Sequence, residues 1–175
     1  MSVREIITPV HPVLRQRAHK VRQVSPEVRS LIDDMIETMR AAPGVGLAAP
    51  QVAVGQRVIV IEYAEESEDP GQPPQAPKQF ALVNPELIRH SAETVRGNEA
   101  CLSVPGYFGE VERYRSVTVK ALDRRGKPVR IKSEGWLARI FQHELDHLDG
   151  ILYTDRATQM WRVEDAQGAD VPAAD

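Results

Sequence analysis

The sequence predicts an α+β fold: mostly antiparallel strands around a central C-terminal helix that carries H-E-x-x-H, with a second helix near the N-terminus. Three observations predict it. Val28, Leu31, Ile32, Met35, Ile36 and Met39 recur at helical spacing. So do Leu137, Phe141, Leu145 and Leu148. Between these two stretches lie short β-branched runs broken by turn residues, and helices segregated from a block of strands define the class.

The elements follow in order. Ser25-Pro26 reads as an N-cap with proline in the first turn of the first helix, which ends at Ala41-Ala42-Pro43-Gly44. Gly44 to Gln51 is a Gly-rich loop of small side chains. Arg57 to Tyr63 reads as a strand. Glu65 to Lys78 is acidic and then Pro/Gln-rich, an exposed loop rather than a linker, because each flank is too small to fold alone. Phe80 to Val83, Leu87 to Val95, Val111 to Leu122 and Pro128 to Ser133 are further strands, the last two joined by a turn at Asp123-Arg124-Arg125-Gly126. Gly135 to Leu148 is the second helix, stopped by Gly150. The expected organisation is one catalytic domain over residues 1–162 and a disordered acidic tail over 163–175.

Bulk properties narrow the function. The chain has 175 residues, enough for one sizeable core, with 42 % apolar and 27 % charged residues. A net charge of −3 without a Lys/Arg block, and 5 % aromatic residues, argue against direct nucleic-acid binding. No apolar run nears the ~20 residues that cross a bilayer, and Met1 to Val13 lacks the apolar stretch of a secretory signal. The expectation is a cytoplasmic protein without membrane contact. Cys101 is the single cysteine, which fits a reducing compartment.

The chemistry concentrates in Gln142-His143-Glu144-Leu145-Asp146-His147. On a wheel of about 100° per residue, Leu137, Phe141, Leu145 and Leu148 face the core. Arg139, Gln142, Asp146 and Asp149 fall on the opposite arc, expected to face solvent. Trp136, Ile140, His143, Glu144 and His147 lie between. His143 and His147 thus stand one turn apart on one face, the arrangement in which two imidazoles chelate a metal while a nearby carboxylate serves its water. The pattern also arises by chance, and a histidine on an apolar face is often only packed. Two histidines with an inward Glu are harder to bury without a metal, since a carboxylate is rarely enclosed unpartnered.

A catalytic metal of this kind takes a third protein ligand. The extended pattern H-E-x-x-H-x-x-G-x-x-H fails here, because Gly150 is followed by Tyr153 where histidine is required. Glu164 is the only glutamate downstream of His147 and so the candidate third ligand of a zinc endopeptidase. Upstream, Cys101 in Glu99-Ala100-Cys101-Leu102-Ser103 reads in three ways: a packed thiol, a nucleophile, or a metal thiolate.

Three motifs in order, Gly44-Val45-Gly46-Leu47-Ala48-Ala49-Pro50-Gln51, Glu99 to Ser103, and Gln142 to His147, resemble the peptide deformylases. The resemblance covers about Ile6 to Asp155 and is closest to the organellar-like branch at Pro43-Gly44, Trp136 and Asp146 to Gly150. It implies hydrolysis of the formyl group from the N-terminal formyl-methionine of new polypeptides. It implies one divalent metal on Cys101, His143 and His147, natively Fe²⁺, with Zn²⁺, Ni²⁺ or Co²⁺ able to replace it. Glu144 would serve as acid/base, and Gln51 and the Leu102 N–H as oxyanion donors. Gly44, Val45 and Gly46 would line the substrate, Val45, Trp136 and Ile140 its methionine pocket, and Arg139 the pocket mouth. The substrate also suggests transient ribosome association. The family commonly has glycine where this chain has Ala100, which a strand-like backbone accepts. The remaining readings are the zinc endopeptidase and a non-catalytic metal-binding module.

Overall fold

A computed structural model describes residues 2–64 and 76–165. Helix α1, Pro26–Ala41, starts where Ser25 accepts a hydrogen bond from the Val28 N–H at 3.4 Å. A three-residue strand β1, Gly46–Ala48, follows, then β2, Val58–Tyr63. Four more long strands come next: β3, Lys78–His90; β4, Thr94–Ala100; β5, Tyr107–Tyr114; and β6, Ser116–Leu122. Strand β7, Pro128–Glu134, leads straight into α2, Gly135–Leu148, and a short β8, Gln159–Arg162, closes the chain order. The expected α+β organisation, antiparallel strands with a C-terminal helix and an N-terminal one, is observed.

The strands form two antiparallel sheets. One has the order β1-β2-β3-β6-β7 and the other β4-β5-β8. Alternation along β2 explains why Val58-Ile59-Val60-Ile61 is apolar throughout: both faces are covered. Val58 and Val60 pack with α1, through Leu31, Ile32, Met35 and Met39. Ile59 and Ile61 pack with α2, through Ile140, Phe141, Leu145 and Leu148. Truncating a residue as enclosed as Phe141 to alanine costs about 3–5 kcal/mol in such a core.

Several strand boundaries differ from the sequence reading, each for a physical reason. Val111 to Leu122 is not one strand. It breaks at Arg115, where the chain leaves the three-stranded sheet at Tyr114 and enters the five-stranded one at Ser116. Phe80–Val83 and the first part of Leu87–Val95 merge into β3, with a register shift where Asn84 takes φ 54°; the expected Leu87–Val95 strand breaks after His90, and Thr94 and Val95 begin β4 in the other sheet. That asparagine binds the Val21 backbone through both side-chain atoms, at 2.8 Å each, which holds the irregularity. Strands β1 and β8 were too short to show a period.

Helix α2 matches its expected span, and Gly150 follows with φ 76°. A Cβ there would stand 2.7 Å from the Arg15 carbonyl oxygen, so both conformation and space demand glycine. Arg57 holds the same end, donating to Leu148 O at 3.1 Å and to Asp149 Oδ1 at 2.8 Å. The asparagine-free turn of the β6–β7 hairpin is held by Asp123 Oδ1, which accepts from the N–H groups of Arg125 and Lys127. Residues 65–75 of the acidic loop and 166–175 of the expected tail lie outside the described residues; Val163–Asp165 form one 3₁₀ turn. Among the described residues no helix is long and apolar enough to cross a membrane.

Candidate metal centre

Helix α2 lies between the two sheets, and every residue from Leu137 to Leu148 is buried. His143 and His147 point from successive turns toward Cys101, which directly follows the last residue of β4. His147 Nε2 stands 3.2 Å from His143 Nε2 and 3.3 Å from Cys101 Sγ. The ligand atoms of all three lie within 4.8 Å of one another. Burial, and then the neighbouring His143 and Arg113, push His147 well below the usual imidazole range, so its ring is neutral.

Glu99 orients His143. Its Oε2 lies 2.9 Å from His143 Nδ1, so Nδ1–H donates to the carboxylate and Nε2 is turned toward His147 and Cys101. Burial alone would push the Glu99 carboxyl up. Hydrogen bonds from Arg113 and His143 outweigh it and hold the group well below the usual carboxylate range. Arg113 grips both carboxylate oxygens at 2.8 and 2.9 Å and reaches Asp146 at 2.6 Å. Arg139 adds a third donor to Glu99 at 2.8 Å. Enclosed charges persist only when paired in this way. Glu99 lies inside the Cys101 motif, but the motif alone gives it no role. A carboxylate two residues before a buried thiol, with two arginines to spare, was the available signal.

Glu144 is fully buried beside β1. A Cβ on Gly46 would collide with its Oε1 and lie 3.0 Å from its Cδ. Gly46 therefore makes room for the carboxylate; closeness to substrate was the expected reason. Gln51 is fully buried as well. Its Oε1 accepts from the Ala48 N–H at 2.8 Å, which turns Nε2 toward Ser103 Oγ at 3.3 Å and Cys101 Sγ at 3.6 Å. Ser103, which sequence reasoning passed over, is the fixed partner of that amide. The Leu102 N–H enters no hydrogen bond among the described residues.

Other expectations change. Arg139, Gln142 and Asp146 do not face solvent. The three-stranded sheet covers their arc: Gln142 pairs with the Tyr114 backbone, and Asp146 with Arg113 and Arg156. Arg139 is 5 % exposed and so lies inside the protein rather than at a pocket mouth. Val45 and Trp136 are half-buried on the core cluster that contains Ile140, and Ile140 itself has no accessible surface. Gly44 ends α1, its N–H donating to Met39 O at 2.9 Å. Tyr153 packs its ring over His143 at 6.0 Å and stands outside the ligand group. Glu164 pairs on the surface with Arg162 at 3.5 Å, far from a ligand's place. Ala100 sits in β4 opposite Phe108 without a positive φ, as its strand-like setting requires.

A tetrahedral ion bound at about 2.3 Å to sulfur and 2.0–2.1 Å to nitrogen holds two nitrogens roughly 3.3–3.4 Å apart and a sulfur roughly 3.5–3.6 Å from each. The observed 3.2 and 3.3 Å, the neutral His147 and the Glu99 contact at Nδ1 that leaves His143 Nε2 facing the centre fit such an ion. One thiol and two imidazoles on an H-E-x-x-H helix, enclosed between sheets, define a metal-dependent hydrolase.

A family model for polypeptide deformylase matches residues 3–163. A peptide deformylase of Symbiobacterium thermophilum is 51 % identical over 160 residues, 91 % of this chain and 69 % of that protein. One of Thermomicrobium roseum is 52 % identical over 160 residues, 89 % of this chain and 86 % of that protein. The structure is similar to that of the Ehrlichia chaffeensis peptide deformylase in complex with actinonin, with a TM-score of 0.83, 40 % identity and 91 % of each chain covered. It is also similar to the Thermotoga maritima peptide deformylase, with a TM-score of 0.78 and 40 % identity, covering 91 % of this chain and 100 % of that one. The chain belongs to the polypeptide deformylase family. It is an enzyme, a metallohydrolase of a formamide C–N bond.

Proposed function

We propose that Cys101, His143 and His147 hold the metal of this deformylase, and that Glu144, Gln51 and the Leu102 N–H act on the formyl group. The reaction removes formyl from the N-terminal formyl-methionine of nascent polypeptides and releases formate. The convergence of three buried ligand atoms within 4.8 Å carries the assignment. A divalent ion held there supplies Lewis acidity, polarising the formyl carbonyl and lowering the pKa of water. Fe²⁺ is the native choice we favour, with Zn²⁺, Ni²⁺ or Co²⁺ able to substitute, since a soft thiolate with two imidazoles suits these ions.

Glu144 accepts the proton of the attacking water and returns it to the departing amine. The formyl oxygen gains negative charge as its carbon becomes tetrahedral. Gln51 Nε2, already turned toward Cys101, and the Leu102 N–H donate to that oxygen. Among the described residues β1 pairs with one strand, β2, and its other edge is where a substrate backbone would pair as an added strand. Gly44, Val45 and Gly46 then line that backbone. Val45 and Trp136, backed by Ile140, form the wall for the methionine side chain. Residues 1–162 constitute the catalytic unit, which works in the cytoplasm and visits the ribosome transiently.

The experiment is formate release from a formyl-Met peptide, with metal content, for the wild type and Glu144→Ala. Retained metal with lost turnover supports the assignment; full activity in the variant overturns it. Internal cleavage of peptides by the wild type would restore the endopeptidase reading.

A further inference from the structure

We propose that Arg139 and Gly97 form a clamp that sets the distance between α2 and β4 and thereby delivers Cys101 to the two histidines; Arg139 is a positioning residue of the metal centre. The inference rests on Cys101 being a ligand. Two ligands belong to a helix and the third to the residue that follows a strand in the smaller sheet. Ligation tolerates only about ±0.2 Å in bond length. The helix and the strand must therefore be fixed against each other.

One guanidinium does this. Arg139 Nη2 donates to Val95 O at 2.7 Å, and Nη1 to Val111 O at 2.9 Å, Glu99 Oε1 at 2.8 Å and Gly97 O at 3.4 Å. Val95, Gly97 and Glu99 are alternate residues of β4, the strand that ends at Ala100 just before Cys101. Arg139 lies one turn before His143 on α2, and the same Glu99 carboxylate receives both: Oε1 from Arg139 and Oε2 from His143. Two successive turns of the helix thus hold one strand residue. A lysine offers a single compact ammonium and cannot span these acceptors.

Gly97 is the notch that admits the side chain. A Cβ there would lie 3.0 Å from both Cζ and Nη2 of Arg139. Its backbone is ordinary strand, paired with Val111, so a side chain there meets no conformational bar but would push the guanidinium off its acceptors by a few tenths of an ångström.

The test uses full-length apo protein, handled without oxygen and titrated with Co²⁺. The thiolate-to-cobalt charge-transfer band reports Cys101, the visible ligand-field bands report total binding, and urea midpoints report apo stability. Arg139→Lys and Gly97→Ala are each expected to raise the Co²⁺ dissociation constant roughly 10- to 100-fold. They should also weaken the thiolate band relative to the ligand-field bands. Arg96→Met, on the same strand but exposed and paired with Glu110, should leave both unchanged. The double variant should lose little more than either single one, because both act on one contact. Lower urea midpoints with unchanged Co²⁺ affinity and band ratio would overturn the proposal, as would full additivity. If Arg139→Lys does not fold, Gly97→Ala decides by the same two readouts. A wild type without the thiolate band would instead refute Cys101 as a ligand.

Discussion

The Cα of Gly46 faces the Glu144 carboxylate so closely that any side chain would collide with Oε1. The glycine of an edge strand and the carboxylate of the central helix therefore share one space. Gly46→Ala should displace Glu144 while leaving Cys101, His143 and His147 in place. The expected result is normal metal content with kcat lowered by about 10²-fold or more, within the range of a lost general acid–base. Metal analysis beside formate-release kinetics checks it; a kcat within a few-fold of wild type would contradict it.

Gln51 should act on the transition state rather than on binding. Its amide is fixed by Ala48 and Ser103 and aims at the metal centre. Gln51→Leu should reduce kcat by about 10²–10³-fold with a much smaller change in KM. Ser103→Ala should give a weaker effect of the same sign, since it only steadies the amide. Steady-state kinetics on a formyl-Met peptide separates this from a binding role, in which KM alone would rise.

Acid stability has a defined contributor away from the site. Hydrogen bonds from Lys20 and then Lys120 draw Glu86 down to about 2 from its ordinary 4.5. A carboxylate lowered by folding contributes fully above its unfolded pKa, and that contribution is lost as pH falls through the folded value. The window is therefore between pH 4.5 and about 2. Glu86→Gln should lower stability at neutral pH by no more than about 1 kcal/mol, because its lysine partners are exposed. It should also flatten the decline across that window. Urea midpoints against pH for both proteins test this; parallel curves would refute it.

Gly150 supports the end of α2 without chemistry. Gly150→Ala combines a positive φ with a collision at Arg15 O and should destabilise by about 2 kcal/mol or more. Denaturant midpoints measure the loss, and an unchanged midpoint would contradict the role given to this residue.

An iron-loaded site of thiolate and imidazoles should lose activity in air by oxidation at the metal and at sulfur. Replacement by a redox-inert ion should slow the loss. Equal half-lives of the two metal forms in air would count against Fe²⁺ as the vulnerable ion.

How much was legible in the sequence depended on range. Helix α2 and its His143/Glu144/His147 face follow from i, i+4 spacing, and its end at Gly150 from local chemistry, so both were readable. Cys101 sits more than forty residues from the histidines, and spacing left it with three readings until a family resemblance narrowed them. The solvent arc of α2 was misread because a wheel shows polarity but not what covers it. Arg139, Gln142 and Asp146 are polar because they meet carbonyls and ions of a second sheet. The break at Arg115 was hidden for a related reason: β5 and β6 follow each other with no Gly or Pro between them while belonging to different sheets.

X-ray absorption at the metal edge of the anaerobically loaded enzyme tests the central assignment most directly. The expected first shell is one sulfur at about 2.3 Å and two imidazole nitrogens at about 2.0–2.1 Å, with the sulfur absent from Cys101→Ser. A shell of nitrogen and oxygen alone in the wild type would contradict a metal held by Cys101, His143 and His147.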